Sequence, residues 1–546
     1  MSKAGEVRST PEPQSASFAC RPATTSVDMH QATLAAAIEA VCRKRADNVA
    51  VRSNGETLTY RELHTAIGIL SARYRALGIQ RGDRIICQLS NRPEHLVAAY
   101  AAWTIGAIHV GLHHQSTERE LVTVAGLVDP ALVVFEPRAG GDDPLGPIDR
   151  LRNDRPGTRV LFVTAPGESA GGITLASLRA RENGAPVPDP AQAPAPSDAA
   201  AIFLTSGTTG QPKMPLGFHG RLRDSWSGLS LALGFSPDDV HLAHLPLAHG
   251  FGLMLATAGL LGGGQITLLD RFSSEEALDI IARERVTVFH GSATHFRLLL
   301  RRLDTSPHDV SSLRIGVASA SAFTPALLRS MRDALKMELM VMYGSSEGVG
   351  VATRDPMDYL VGAVGRPAPG SLAIVGRDRE PVPVGSEGEI AFSRSHFPVR
   401  YWTGQTDVAV EEVSSGWYYS GDLGRVDDAG RLFVIGRLKH QINRGGSKVD
   451  PLEVENAMLA LPQVAEVAVI GVPHSVFGEA VCACVVTADG GSITLGELRA
   501  ALAHSLAPFK LPEELVLLDQ LPHTSLGKVD VTRLRAGAGD AVMATH

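Results

Sequence analysis

Between Thr205 and Lys213 the chain reads Thr-Ser-Gly-Thr-Thr-Gly-Gln-Pro-Lys. Hydroxyl donors, glycines that let a ligand approach the backbone, and one cation are the parts needed to hold a polyphosphate. Thr205, Ser206, Gly207, Thr208, Thr209 and Lys213 are therefore candidate nucleotide-binding residues. A Ser/Thr/Gly-rich surface turn has the same composition. This stretch, however, follows an apolar run, Ala200 to Leu204, with the character of a buried strand. It is not a Walker A loop, which spaces its glycines more widely than Gly207 and Gly210.

The hydrophobic pattern supplies a scaffold for such a loop. Leu34, Ile38 and Val41 share a helix face. A second helix opens near Thr59, which can cap it opposite Glu62, and its stripe continues through Ile67, Leu70, Tyr74 and Leu77. Strands at 84–89, 106–110 and 131–135 alternate with a helix at 94–105, which predicts an α/β fold with doubly wound parallel sheets. After Lys213 a helix carries Leu222, Trp226, Leu229 and Leu233 on one face. Strands at 286–290, 313–317 and 339–342 then end in small polar loops. These are Gly291-Ser292, Ala318-Ser319-Ala320-Ser321, and Tyr343-Gly344-Ser345-Ser346-Glu347-Gly348. Ligands of parallel α/β sheets sit outside the carboxyl ends of the strands, so these loops and the 205–213 loop point to one shared site.

The 546 residues, 44% hydrophobic and 20% charged, suit a globular chain of several domains. A net charge of -7 argues against a nucleic-acid partner. The five cysteines are odd in number and lack zinc-site spacing; Cys482 and Cys484 alternate onto one strand face, which suits a reducing, cytoplasmic compartment. Residues 1–30 are Ser/Pro/Thr-rich without the apolar core of a signal peptide and read as a disordered tail. The long charge-free span 240–269 contains His244, Pro246, His249 and three consecutive glycines, so it predicts core and loop rather than a membrane span. From about 365 to 435 short β segments follow, with Gly421-Asp422-Leu423-Gly424 expected as a turn. The texture changes again at 436–440, and 441–546 reads as a compact α+β unit.

Five stretches carry a family resemblance. They are Thr205 to Lys213, Tyr343-Gly344-Ser345-Ser346-Glu347, Ser420-Gly421-Asp422-Leu423-Gly424, Gly436-Arg437-Leu438-Lys439 and Leu526-Gly527-Lys528-Val529. In this order they resemble the motifs of adenylate-forming enzymes: acyl- and aryl-CoA synthetases, peptide-synthetase adenylation domains and beetle luciferases. The resemblance spans roughly residues 31–536. It implies an N-terminal adenylation domain (31–435) of doubly wound sheets plus a β-barrel portion, a hinge (436–440), and a small mobile α+β C-terminal domain (441–546). It also implies a two-step reaction. A carboxylate attacks the α-phosphorus of ATP to give an acyl-adenylate and pyrophosphate, and a thiol, here that of CoA, then takes the acyl group.

In that resemblance the 205–213 loop with Lys213 holds the phosphates, Glu347 contacts Mg2+, and Ser346, where the family commonly has Thr, offers a hydroxyl to the α-phosphate. Tyr343 packs on adenine beside Gly344, Ser345 and the Ser319-Ala320-Ser321 loop. Asp422 accepts the ribose hydroxyls and Arg437 supports ribose or phosphate. Lys528 stabilises charge in the adenylation step. His249, Gly291 and Gly344 border the acid pocket, and Gly445 and Gly446 line the thiol path. The hinge residue is His440, where the family usually has Asp or Lys, and Ser319-Ala320-Ser321-Ala322 replaces a Gly-Gly-Ala-Pro-like run. No aspartate lies between His241 and Gln265 to pair with a substrate ammonium, which disfavours an α-amino acid. An acyl carrier protein presents the same pantetheine thiol as CoA, so loading of such a partner is an alternative, as is a non-catalytic nucleotide-binding regulator. Each residue also has a plainer reading: Asp422 as a turn residue, Lys528 as a solvated lysine, Glu347 as a helix cap.

Overall fold

The computed structural model describes residues 32–137, 144–163, 173–179, 193–204, 213–395, 399–404, 407–409, 416–445, 447–474, 476–524 and 528–543. The expectations for the 1–30 tail, for Thr205 to Thr209 and for Gly446 lie outside these residues.

The strands expected on both sides of the 205–213 loop form two largely parallel sheets. The first runs Arg159–Phe162, Leu132–Phe135, Arg84–Leu89, Ile108–His113, Ala199–Ile202, with Leu216–Phe218 antiparallel at its edge. The second runs Gly348–Thr353, Glu338–Ser345, Ile315–Ala318, Val288–Gly291, Val240–Ala243, Gln265–Leu268, Val49–Ser53, Glu56–Thr59, with antiparallel pairs at both ends. The inner strands read as apolar runs because both faces are covered.

Two helices without a polar face explain the charge-free span and its neighbour. Pro93–Thr104 and Gly250–Leu261 are buried almost all round and join strands of both sheets into one core. Polar groups within them pair: the Tyr100 and Thr257 hydroxyls lie 3.0 Å apart, and Trp103 Nε1 donates to the Ala200 carbonyl at 2.8 Å. Among the described residues no helix is long and apolar enough to cross a membrane. The expected cap is present too, with Thr59 and Glu62 forming a reciprocal capping box on Tyr60–Ala76.

The β-rich portion is an antiparallel sheet of Leu372–Val375, Gly388–Ser393, Trp417–Val426 and Leu432–Arg437. Here the sequence reading is corrected: Gly421 to Gly424 is no turn but the middle of the strand Trp417–Val426. Gly421 takes φ +74°, and the register slips between Leu423 and Gly424, so the strand bulges and stays continuous. A 3-10 turn, Leu438–His440, leads to the C-terminal unit. There Ser447–Val449, Ile442–Arg444, Gly478–Thr487 and Val464–His474 form a sheet, joined by Glu514–Leu517. The helices Pro451–Met458, Leu495–Leu502 and Val531–Met543 belong to the same unit. Cys482 and Cys484 are buried in one core cluster, as their alternation predicts.

Candidate active site

The three parallel strands Val288–Gly291, Ile315–Ala318 and Glu338–Ser345 lie side by side, with Gly291 opposite Ala318 and Ala318 opposite Val341. This register brings the small polar loops together at one sheet end. Ser319 N–H donates to the Gly291 carbonyl at 3.2 Å, and Ser319 Oγ donates to the Met342 carbonyl at 3.0 Å. Ser321 Oγ accepts the Ala293 N–H at 2.8 Å. Between them Ala320 holds φ +67°, an unusual conformation for a residue with a Cβ. The hydroxyls of Ser319 and Ser321 thus brace the loop from both sides.

The next strand reaches past the sheet and turns back. Tyr343, Gly344 and Ser345 continue Glu338–Ser345, and Gly348–Thr353 returns antiparallel. Glu347 therefore sits in a hairpin turn, and its reading as the cap of a following helix is excluded. Gly344 is required by packing, since a Cβ there would stand 2.5 Å from the Gly348 carbonyl oxygen. Tyr401 donates its hydroxyl to Glu347 Oε1 at 2.6 Å, and Arg221 donates to the Glu347 carbonyl at 3.2 Å. Lys213 Nζ lies 5.8 Å from the centroid of the same Tyr401 ring. The cation at the end of the 205–213 loop and the carboxylate of the hairpin thus share one tyrosine. Burial, then the Glu347 charge, hold the Tyr401 and Tyr418 hydroxyls well above the usual tyrosine range, so both remain donors.

Asp422 organises a second cluster. It is 6% exposed, accepts the Tyr343 hydroxyl on Oδ2 at 2.7 Å and pairs with Arg437 Nε through Oδ1 at 2.8 Å. Its own N–H donates to Ser420 Oγ at 3.0 Å. The Tyr343 ring stacks on Phe392 with centroids 6.0 Å apart. Lys528, in the C-terminal unit, is an exposed residue. Desolvation of its ammonium, then the Arg437 charge, lower its pKa, while Asp422 opposes the shift.

His249 stands at the start of Gly250–Leu261. Burial, then Lys528, then His113 pull its pKa down to about 4, so its imidazole is neutral at physiological pH. His440, in the 3-10 turn, is lowered by burial and by Arg437 and Arg535, against Asp422. Gly445 takes φ +56° at a hairpin tip, and its nearest side chain is Phe477 of the same unit. The structure does not bring it to the Asp422 cluster.

The residues fit the groups that the chemistry requires. Glu347 offers a hard carboxylate held by a hydroxyl donor, suited to Mg2+ together with phosphate oxygens. Each Asp422 oxygen keeps a lone pair after its present bond, enough for a pair of vicinal hydroxyls. Tyr401, Tyr418 and Phe392 were missed in the sequence. They belong to no motif, and the signal available was aromatic residues in the β-like stretch that precedes Asp422.

The family model for AMP-binding enzymes matches residues 38–402, and that for the AMP-binding enzyme C-terminal domain matches 453–528. The chain is 31% identical over 512 residues to the 2-hydroxy-7-methoxy-5-methyl-1-naphthoate–CoA ligase of Streptomyces carzinostaticus, covering 91% of each chain. It is 32% identical over 498 residues to the indoleacetate–CoA ligase of Aromatoleum aromaticum, covering 89% of this chain and 95% of that one. Among solved structures, ATP-bound MatB from Rhodopseudomonas palustris superposes with a TM-score of 0.78 at 28% identity, over 93% of this chain and 99% of the other.

Proposed function

Because the chain belongs to the AMP-binding, adenylate-forming enzyme family, we propose that the cleft around Asp422 and Lys528 is its adenylation site. The enzyme is an AMP-forming acid–thiol ligase: it activates a carboxylic acid lacking an α-amine with ATP and passes the acyl group to the thiol of CoA. The observation that carries the site assignment is the bonding of the buried Asp422 to both Tyr343 and Arg437, with both the Asp422 and Arg437 charges acting on Lys528 of the C-terminal unit.

The chemistry needs this arrangement. A carboxylate must approach a polyanion, so cations must stand where negative charge accumulates. Two unit charges 4 Å apart interact by about 1 kcal/mol in water and about 4 kcal/mol at an effective dielectric of about 20. Lys528 bridges the attacking carboxylate and the α-phosphate. Lys213 and the 205–213 loop take the departing pyrophosphate. Glu347, whose Oε1 is steadied by Tyr401, would hold Mg2+, and Ser346 would offer a hydroxyl to the α-phosphate. Asp422 and Arg437 fix the ribose, and Tyr343 with Gly344, Ser345 and the Ser319–Ser321 loop frames the adenine. His249, neutral and beside Lys528, borders the acid with Gly291.

Residues 436–440 are the hinge of a mobile C-terminal domain. The gap between the two family matches, 403–452, supports a boundary there. Rotation at His440 then carries the Gly445–Gly446 hairpin toward the pantetheine path. The buried free thiols Cys42, Cys87, Cys482 and Cys484 support a cytoplasmic location. Pyrophosphate release across a panel of aryl and aliphatic acids, followed by a panel of thiol acceptors, tests the reading. Acyl-CoA, AMP and pyrophosphate are the expected products. Turnover only with a carrier protein would replace CoA as acceptor, and no pyrophosphate release with any acid would refute the assignment.

A further inference from the structure

The helix Pro451–Met458 begins at Asp450, whose Oδ1 accepts the Leu452 N–H at 2.9 Å. Asp450 is 7% exposed, and its Oδ2 has no hydrogen-bond donor. That oxygen lies against Gly436, on the far side of the Leu438–His440 turn. A methyl group at Gly436 would stand 1.8 Å from it. Gly436 is not among the residues with positive φ, so its backbone does not demand glycine; the approach of Asp450 does. Gly436 pairs with Leu423 next to Asp422, and Arg437 is bonded to Asp422 itself. Asp450 thus rests on the strand that carries the ribose-side cluster.

The same helix is engaged a second time. Glu455 accepts the Val469 N–H at 2.8 Å, and the charge of Arg297, on the helix Ala293–Thr305 of the N-terminal unit, acts on Glu466 and then on Glu455. The helix therefore meets the strand Leu432–Arg437 at its cap and is bonded to the strand Val464–His474 along its side.

We propose that Gly436 is a bare docking point for Asp450 and acts as a positioning residue for the adenylation step, seating the C-terminal unit so that Lys528 reaches the Asp422 cleft. The proposal rests on the adenylation assignment above. One partner lies on each side of the 438–440 turn, so rotation at that turn separates them. A side chain at 436 therefore obstructs the adenylating arrangement and leaves the rotated one open. The contact works by fit rather than by a bond, since Asp450 Oδ2 receives none.

The test is Gly436→Ala, alone and combined with Asp450→Ala, with pyrophosphate exchange and thioester formation from a supplied acyl-adenylate measured separately. Gly436→Ala is expected to lower exchange by about tenfold or more and to change thioester formation by less than about threefold. Asp450→Ala vacates the space, so the double variant should recover exchange to the level of Asp450→Ala alone. Unchanged exchange in Gly436→Ala, equal loss of both half-reactions at an unchanged melting temperature, or a double variant no better than the single one would each overturn the docking role. If Gly436→Ala does not fold, the double variant decides: it folds and exchanges if the contact is steric, and otherwise the proposal falls. Absence of exchange in the unmodified enzyme with every acid refutes the adenylation assignment instead. Backbone hydrogen exchange at 450–458 then reads the contact independently, faster in Gly436→Ala if the docking is real and unchanged if it is not.

Discussion

The nucleotide side and the acid side of the cleft are built by opposite means. On the nucleotide side polar groups hold one another: Tyr343 and Arg437 fix Asp422, and Tyr401 fixes Glu347. Beside Gly291, on the proposed acid side, the polar groups are neutral imidazoles among rings. His244 stacks on Phe289 at 4.8 Å and meets His295 edge-on at 4.8 Å, and Phe272 packs on His295 at 4.6 Å. Burial pulls His290 to about 3 and His295 to about 4. The first cluster is charged; the second is buried and uncharged.

Substitutions sharpen this contrast. Glu347→Gln removes the charge offered to Mg2+, and Asp422→Asn weakens the ribose grip while leaving Arg437 without its anion. Each should lower kcat/KM for ATP by about 100-fold, since charged hydrogen bonds contribute about 1.5–3 kcal/mol apiece, with the same loss for every acid. Steady-state kinetics at saturating acid checks this, and a loss confined to some acids would break the division. His249→Ala should raise KM for the acid by about tenfold, reorder the acid preference and leave KM for ATP unchanged. An equal rise in KM for ATP would place His249 on the wrong side. Tyr401→Phe removes the hydroxyl's bond to Glu347, worth about 1 kcal/mol, so a loss of about fivefold, relieved by added Mg2+, is expected in exchange assays.

The neutral histidines also set an acid limit on stability. Their folded pKa values, about 3 for His290 and about 4 for His249 and His295, lie below the unfolded value near 6.5. The unfolded chain therefore binds more protons between about pH 4 and 6.5, and stability falls as pH drops through that window. Each such histidine contributes a slope of up to about 1.4 kcal/mol per pH unit. Thermal unfolding at pH 7 and pH 5.5 should show the melting temperature falling, and His290→Phe should reduce the fall. A melting temperature independent of pH would contradict the neutral cluster.

The same contrast explains what the sequence disclosed. Asp422, Glu347 and Lys528 stand in short motifs, as expected if the nucleotide atoms they are proposed to serve are the same for every acid. Their supports were not legible. Tyr401 reaches Glu347 from the short strand Arg400–Trp402 and Tyr418 from the β-rich sheet, both far along the chain, and nothing local marks an aromatic residue as a hydroxyl donor to a distant carboxylate. Gly421 and Gly424 read as turn formers, but sheet pairing on both sides kept the strand continuous and used Gly421 for a bulge. The doubly wound sheets were legible because strands buried on both faces leave apolar runs of strand length. The docking of Asp450 had a local sign, an Asp-Pro pair opening a helix, but its partner Gly436 emerges only in three dimensions.

The placement of Lys528 is tested most directly by Lys528→Ala with the two half-reactions measured apart. Pyrophosphate exchange should fall by at least about 100-fold, while thioester formation from a supplied acyl-adenylate and CoA stays within about threefold of the unmodified enzyme. Retained exchange, or loss of both half-reactions together in a folded protein, would contradict the role assigned to the lysine in the cleft.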